Sequence, residues 1–246
     1  MIDGQEAQVH QLGIDRRGLL RTLLFGAAAG AGSTVVPAIG SVRATAESGS
    51  RTLLVYFSRP GENYYYGDRI DLETGNTEVL ANLIRDCITC NVYRIEASEP
   101  YSANYDATVA RNVSEQESNA RPGIANLIES IEDYDTILLG SPIWNVRPPR
   151  IMLTFAEAFD FTGKTVYPFT THAMSGLGRA ISDYTASCPG AAIGDGLAVL
   201  GEEVIDDPSA AATHVETWLA EIDLPGDTRT TQSPRHIPSS IAMRHE

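Results

Sequence analysis

Residues 51–77, RTLLVYFSRPGENYYYGDRIDLETGNT, constrain the fold of this chain more than any other stretch. Leu53 to Phe57 form a short, unbroken apolar run, the pattern of a strand buried on both faces. Thr74-Gly75-Asn76-Thr77 follow as small hydroxyl and amide side chains around a glycine. Then come Val79, Leu80, Leu83 and Ile84 at helical spacing, which predicts a helix from Asn76 to about Asp86. Strand, hydroxyl-rich loop and helix start, in that order, make an anion site. The first helical N–H groups lack internal partners, and the macrodipole there is positive. A phosphate accepts those bonds, and Ser or Thr hydroxyls add donors without charge. The alternative is a plain strand-turn-helix with ordinary N-caps. The loop has neither Gly-x-x-x-x-Gly-Lys-Ser/Thr nor Gly-x-Gly-x-x-Gly, so nucleoside triphosphate and Rossmann dinucleotide sites are unsupported. It contains no lysine, and Arg59 and Arg69 lie outside Thr74–Thr77. Neutral donors suit one permanently bound phosphomonoester.

Two further strands end in loops of comparable chemistry. Thr136 to Leu139, apolar throughout, suits the centre of a parallel sheet and runs into Gly140-Ser141-Pro142-Ile143-Trp144-Asn145. Trp144 reads either as a planar face for a ligand or as core packing on its own helix. Lys164 to Thr170 reads as a fourth strand and leads into Thr171-His172-Ala173-Met174-Ser175-Gly176-Leu177-Gly178. Ligands of open α/β sheets bind beyond the carboxyl ends of the strands, where strand order reverses. His172 is the titratable residue of this set, either a proton donor or a loop scaffold. Arg147 and Arg150 flank Pro148-Pro149, which start a helix through Phe159, and either arginine could approach a ligand.

Between these loops, Asn91 to Glu96 alternate as the second strand, and Tyr101 to Val113 read as a surface helix or a long loop. Ile124 to Ile131 read as a charged helix. Asn112-Val113-Ser114 fits a glycosylation sequon, which means little if the exporter is bacterial. Ala191 to Leu200 carry Gly194 and Gly196, so a last strand there is split or bulged. Asp207-Pro208 cap a final amphipathic helix with Val215, Trp218, Leu219 and Ile222 on its apolar face.

Taken in order, these segments resemble the flavodoxin family, whose phosphate loop reads Ser/Thr-x-Thr-Gly-x-Thr. Ser58-Arg59 is similar to its first half and Thr74-Gly75-Asn76-Thr77 to its second, with residues 60–73 inserted between. Pro60-Gly61-Glu62-Asn63-Tyr64 resembles an insertion carried by one branch of flavodoxin-like proteins. Gly140-x-Pro142-x-Trp144 and Thr171-His172-x-x-Ser175-Gly176-x-Gly178 resemble that branch's two ring-binding loops. The resemblance covers residues 51–223. It implies a three-layer α/β/α sandwich with a five-stranded parallel sheet in the order 2-1-3-4-5, and non-covalent FMN. Flavodoxins, with FMN at the switch point, are themselves a standing example of that binding rule. By the same resemblance, Ser58, Thr74, Gly75, Asn76 and Thr77 hold the phosphate. Pro142, Ile143, Trp144 and Asn145 lie against the ring, and Thr171, His172, Ser175, Gly176 and Gly178 meet its polar edge. Many flavodoxins place an aromatic residue in the second ring loop; this chain does not, and Tyr64, Tyr65 or Tyr66 could cover the ring instead.

The first forty-six residues do not read as fold. Arg16-Arg17 precede an apolar run, a Gly/Ala-rich stretch reaches Gly40, and Ala44-Thr45-Ala46 match a signal-peptidase site. Residues 1–46 resemble a twin-arginine export signal, cleaved after Ala46. An uncleaved signal would act as a tether instead, although a Gly-rich segment interrupted by Pro37 is a poor membrane span. Twin-arginine export moves folded proteins, which fits a cofactor loaded before export. The net charge of −14 argues against nucleic acid and permits steering toward basic redox partners, though it equally serves solubility. Cys87-Ile88-Thr89-Cys90 close the first helix rather than opening one, so buried small hydrophobes or a structural disulfide are the readings there. Residues 225–246 read as a disordered tail. The expectation is an exported FMN protein that carries electrons or reduces a quinone-like acceptor. The alternatives are a flavin reductase with its own organic substrate, or a binding module that has lost FMN.

Overall fold

The computed structural model describes residues 51–224; the export-signal and tail readings fall on residues outside these. The described chain opens in β1 (Thr52–Tyr56), whose five residues are all buried. Parallel partners flank it on both sides, so neither face nor edge meets water, and the run is apolar throughout. The inserted residues form an antiparallel hairpin, β2 (Gly61–Tyr65) and β3 (Asp68–Leu72). Its two-residue turn, Tyr66-Gly67, has φ of 47° and 93°, the left-handed torsions that a tight hairpin needs. α1 (Asn76–Cys87) and β4 (Asn91–Arg94) complete the first unit. α2 (Tyr105–Glu117) is capped by Asn104, whose side chain accepts from the Ala107 N–H. β5 (Thr136–Pro142), α3 (Arg150–Glu157), β6 (Thr165–His172) and α4 (Ala180–Ser187) follow. The chain closes with β7 (Ala192–Ile193), β8 (Leu197–Leu200), α5 (Gly201–Asp206) and α6 (Pro208–Glu221).

The sheet runs β4-β1-β5-β6, and both β7 and β8 then pair with β6, in parallel throughout. β7 meets the start of β6 (Thr165↔Ala192) and β8 its end (Phe169↔Leu197). They are two halves of a fifth strand, interrupted at Gly194-Asp195-Gly196, as the two glycines led us to expect. Counted so, the order is 2-1-3-4-5. Side chains alternate between two cores. Val55, Ile137, Leu139 and Val166 face Ile151, Phe155 and Tyr184 of α3 and α4. Leu54, Leu138 and Phe169 face Leu80 and Ile84 of α1 with Val215, Trp218 and Leu219 of α6. Two helical layers around one sheet result.

Three expectations change. Residues 124–131 are not a helix: Ala125 N–H donates to the Glu96 carbonyl, and Ile124 bridges to Ala97. Asn126 accepts from the Glu96 N–H at 3.1 Å and donates to the Arg94 carbonyl at 2.9 Å, so its side chain competes with the helical pattern. The helix in the second crossover is α2, four residues later than Tyr101–Val113, and α5 is an element we did not anticipate. Cys87, Cys90 and Cys188 are all free, and burial raises their thiols, Cys90 to about 11 and Cys188 to about 12. Thiols held so high carry little thiolate at neutral pH.

Candidate functional site

Parallel strands deliver their carboxyl ends to one edge of the sheet, and a cleft of about 330 Å³ lies there. Ser58 follows β1, Pro142 to Asn145 end β5, and Thr171 to Ala173 end β6; all border the cleft. Its walls are the start of α1, the inward stripe of α2, the hairpin and the first turn of α5.

The anion-binding end is built at α1. The N-cap residue, Gly75, has no side chain to cap the helix, and the N–H groups of Asn76 and Thr77 remain available to a ligand. Ser58 Oγ accepts from the Glu78 N–H at 3.1 Å and pins the loop to the helix. Thr77 and Thr171 share a buried hydroxyl–hydroxyl hydrogen bond of 2.7 Å, which locks the start of α1 to the end of β6. Arg59, 7 % exposed, turns its two terminal nitrogens to carbonyls and leaves its buried Nε without a partner. Its terminal nitrogens donate to the carbonyls of Pro60, Ser102 and Ala103 at 3.0–3.1 Å, and to that of Glu62. Gly75 sits behind the cleft with its Cα against Ser58 and Arg59, and Thr74 is exposed.

Trp144 begins a tight turn. Its N–H donates to the Arg147 carbonyl at 2.8 Å, and the Arg147 N–H donates back at 3.2 Å. Asn145 and Val146 between them have φ of 48° and 58°. That region is hostile to a β-branched residue, so the turn is held from outside. Gln116 of α2 donates to the Trp144 carbonyl at 3.0 Å and accepts from Asn145 Nδ2 at 2.9 Å. The Val146 carbonyl accepts from the Arg179 N–H, and Arg147 grips Asp183 through two nitrogens at 2.9 and 2.6 Å. Arg147 and Arg150 are therefore spent away from the cleft; Arg150 bonds Asn119 and the Ala120 carbonyl. Trp144 packs edge-on against Phe57 (5.8 Å) and Tyr101 (5.2 Å) at the margin of the core shared with α3. Because Val146 is half in solvent, Val146→Gly should relieve strain while losing little packing. We expect it to raise the unfolding free energy by about 1 kcal/mol, the strain removed less the added chain entropy. A lowered denaturant midpoint would show that the turn is unstrained.

His172 and Glu202 face the cleft together. His172 is half-buried, and its Nδ1 is buried without a hydrogen-bond partner. Burial lowers its pKa against the pull of the Glu202 carboxylate, so the imidazole is neutral at pH 7. Ser175, Gly176 and Gly178 do not border the cleft; they shape the loop behind it. The Gly176 carbonyl accepts from Thr170 Oγ1, and Gly178 abuts the Val146 carbonyl so closely that a Cβ would lie 2.4 Å from it. Of the three hairpin tyrosines, Tyr64 reaches the cleft. Tyr65 and Tyr66 donate instead to the two oxygens of Asp206 on α5.

The sequence reasoning missed the α2 wall, where Tyr105, Thr108, Val109, Asn112 and Val113 form a stripe at helical spacing. That spacing was the available signal. Asn112, the acceptor of the sequon, is 3 % exposed and belongs to this wall. It also missed Glu202, whose place directly after the last strand puts it on the ligand edge of the sheet.

Comparison with known proteins follows the same outline. The sequence model of the flavodoxin family matches residues 72–221. A provisionally assigned flavoprotein from Bacteroides uniformis ATCC 8492 is 30 % identical over 70 % of this chain and 99 % of its own, with a TM-score of 0.56. Another, from Bacteroides eggerthii DSM 20697, is 26 % identical over 71 % and 98 %, also with a TM-score of 0.56. A flavoprotein in complex with FMN from Lactobacillus acidophilus NCFM is more distant, at 21 % over 64 % and 97 %, with a TM-score of 0.45. No curated protein matches the chain.

Proposed function

This chain belongs to the flavodoxin family, and from that premise we propose that it is an exported FMN protein that carries electrons or passes them to a quinone-like acceptor. The observation that carries the reading is the chemistry of the cleft. Its anion end offers helix N–H groups, an amide and two hydroxyls, while the neighbouring arginine is occupied by carbonyls. That donor set fits a single, non-covalently held phosphomonoester better than a polyphosphate, which needs a lysine or a metal. An aromatic face and two buried polar atoms without protein partners lie further along the same cleft.

In this reading Ser58, Asn76 and Thr77 hold the phosphate, and Trp144 excludes water from one side of the ring. Bound FMN supplies the one- and two-electron chemistry; the protein sets its potential and access. The neutral His172 offers a hydrogen bond without adding charge to the site. The export part rests on Arg16-Arg17 and the Ala44-Thr45-Ala46 pattern, and the basic-partner part on the net charge of −14.

One experiment addresses cofactor and location together. The native host is fractionated, and the protein is purified from the exported fraction without added flavin. A yellow protein with flavin absorption bands, releasing FMN on acid treatment, is expected. Colourless protein that also takes up no added FMN would remove the redox reading. Yellow protein confined to the cytoplasm would remove the export reading alone.

A further inference from the structure

We propose that Glu202 is a cofactor-binding residue: its free carboxylate oxygen accepts a hydrogen bond from a hydroxyl of the polyol chain that joins the flavin ring to its phosphate. The inference rests on the FMN reading above. Glu202 is 5 % exposed, in the first turn of α5, and borders the cleft. One carboxylate oxygen accepts from the Tyr66 N–H at 3.3 Å, which fixes the side chain against the hairpin. The other, Oε2, is buried and has no partner in the protein. A buried acceptor left unmatched is costly, more so when it carries charge. Its position on a ligand-facing wall identifies what matches it, namely a donor on the ligand.

The parts of FMN differ sharply in what they can give a carboxylate. The phosphate is an acceptor and an anion, and beside Glu202 it would be repelled. The ring is assigned to Trp144. Between the two runs a chain of neutral hydroxyls, each able to donate to a carboxylate in a charge-assisted bond. Glu202 is the acidic residue among those bordering the cleft, so it selects for that donor-bearing segment. It also disfavours a second anionic group at that place, as a dinucleotide would bring.

The test titrates apoprotein with FMN, riboflavin and lumiflavin, following flavin fluorescence, for the wild type, Glu202→Ala and Glu202→Gln. FMN and riboflavin carry the polyol chain, and lumiflavin has a methyl group in its place. Glu202→Ala should weaken FMN and riboflavin about tenfold to a hundredfold, the range of one charged hydrogen bond, and leave lumiflavin unchanged. Glu202→Gln, which keeps a polar group of the same reach, should recover part of the loss. Equal loss for all three flavins in Glu202→Ala would show that the residue serves the fold, and no loss for any would show that it meets no ligand; either overturns the proposal. Wild-type protein that binds no FMN would defeat the underlying reading instead, and is told apart because it needs no variant.

Discussion

Gly75→Ala is expected to cost about a hundredfold in FMN affinity, or ~2.7 kcal/mol, from a single added methyl group. The reason is space, not torsion. Gly75 has φ −69° and ψ 149°, an extended conformation open to any residue. A Cβ built there, however, lies 2.4 Å from Ser58 Oγ and 2.5 Å from the Arg59 carbonyl oxygen. The serine could rotate away, but the carbonyl is backbone and must move. Moving it separates the end of β1 from the start of α1 and breaks the Ser58–Glu78 bond that shapes the anion end. The fold should survive, because overpacking of this kind costs about 1–3 kcal/mol and the atoms in the way belong to a loop. Fluorescence titration of wild type and variant reads the affinity, with far-ultraviolet circular dichroism as the check on folding. An unchanged dissociation constant in a folded variant would mean that this loop does not hold the ligand.

How far the sequence spoke depends on the range of the interactions involved. The two central strands, Leu53 to Tyr56 and Ile137 to Leu139, were legible because each is a short apolar run whose whole surface is buried, and β4 was legible from its alternation. The split fifth strand was legible from Gly194 and Gly196. The helix expected over 124–131 failed because a side chain, Asn126, satisfies the edge of β4 and holds the backbone extended. Residues that border the cleft from the strand ends were legible, since loops beyond parallel strands carry their own signature of Gly, Ser, Thr and aromatic residues. Those contributed by α2 and α5 were not. A stripe of Tyr105, Val109 and Asn112 looks like any half-buried helix face until its distance from Trp144 is known. The same holds for Gln116, a plain surface glutamine in sequence and the clamp of a strained turn in the fold. Arg59 is the sharpest case. Beside Ser58 it looked like part of a phosphate loop, but its partners are carbonyls, two of them more than forty residues away.

Those partners make Arg59→Met the most destabilising single change we foresee outside the cores. The guanidinium gathers the Pro60 and Glu62 carbonyls of the hairpin and the Ser102 and Ala103 carbonyls before α2, so one side chain staples two loops together. Burial pulls its pKa down, with Glu62 opposing, yet an arginine remains charged at any ordinary pH. Methionine fills a similar volume and takes the guanidinium donor from all four carbonyls; Ser102 keeps only the Thr108 hydroxyl and Ala103 only the Glu62 N–H. Bonds from a charged donor contribute about 1.5–3 kcal/mol each and are not additive, so a loss of ~3 kcal/mol is a conservative expectation. In a domain of this size that is roughly a 10 °C fall in Tm. Arg59→Lys should recover only part of it, because an ammonium lacks the planar fork that reaches carbonyls on both sides. The loss should also be local. Amide exchange should accelerate in β2, whose Glu62 N–H donates to the Ala103 carbonyl, while β1 and β5 keep their protection. The hairpin and α2 wall the cleft through Tyr64 and Tyr105, so FMN should bind more weakly as well. A Tm within 2 °C of wild type, with β2 still protected, would show that the hairpin stands without its staple.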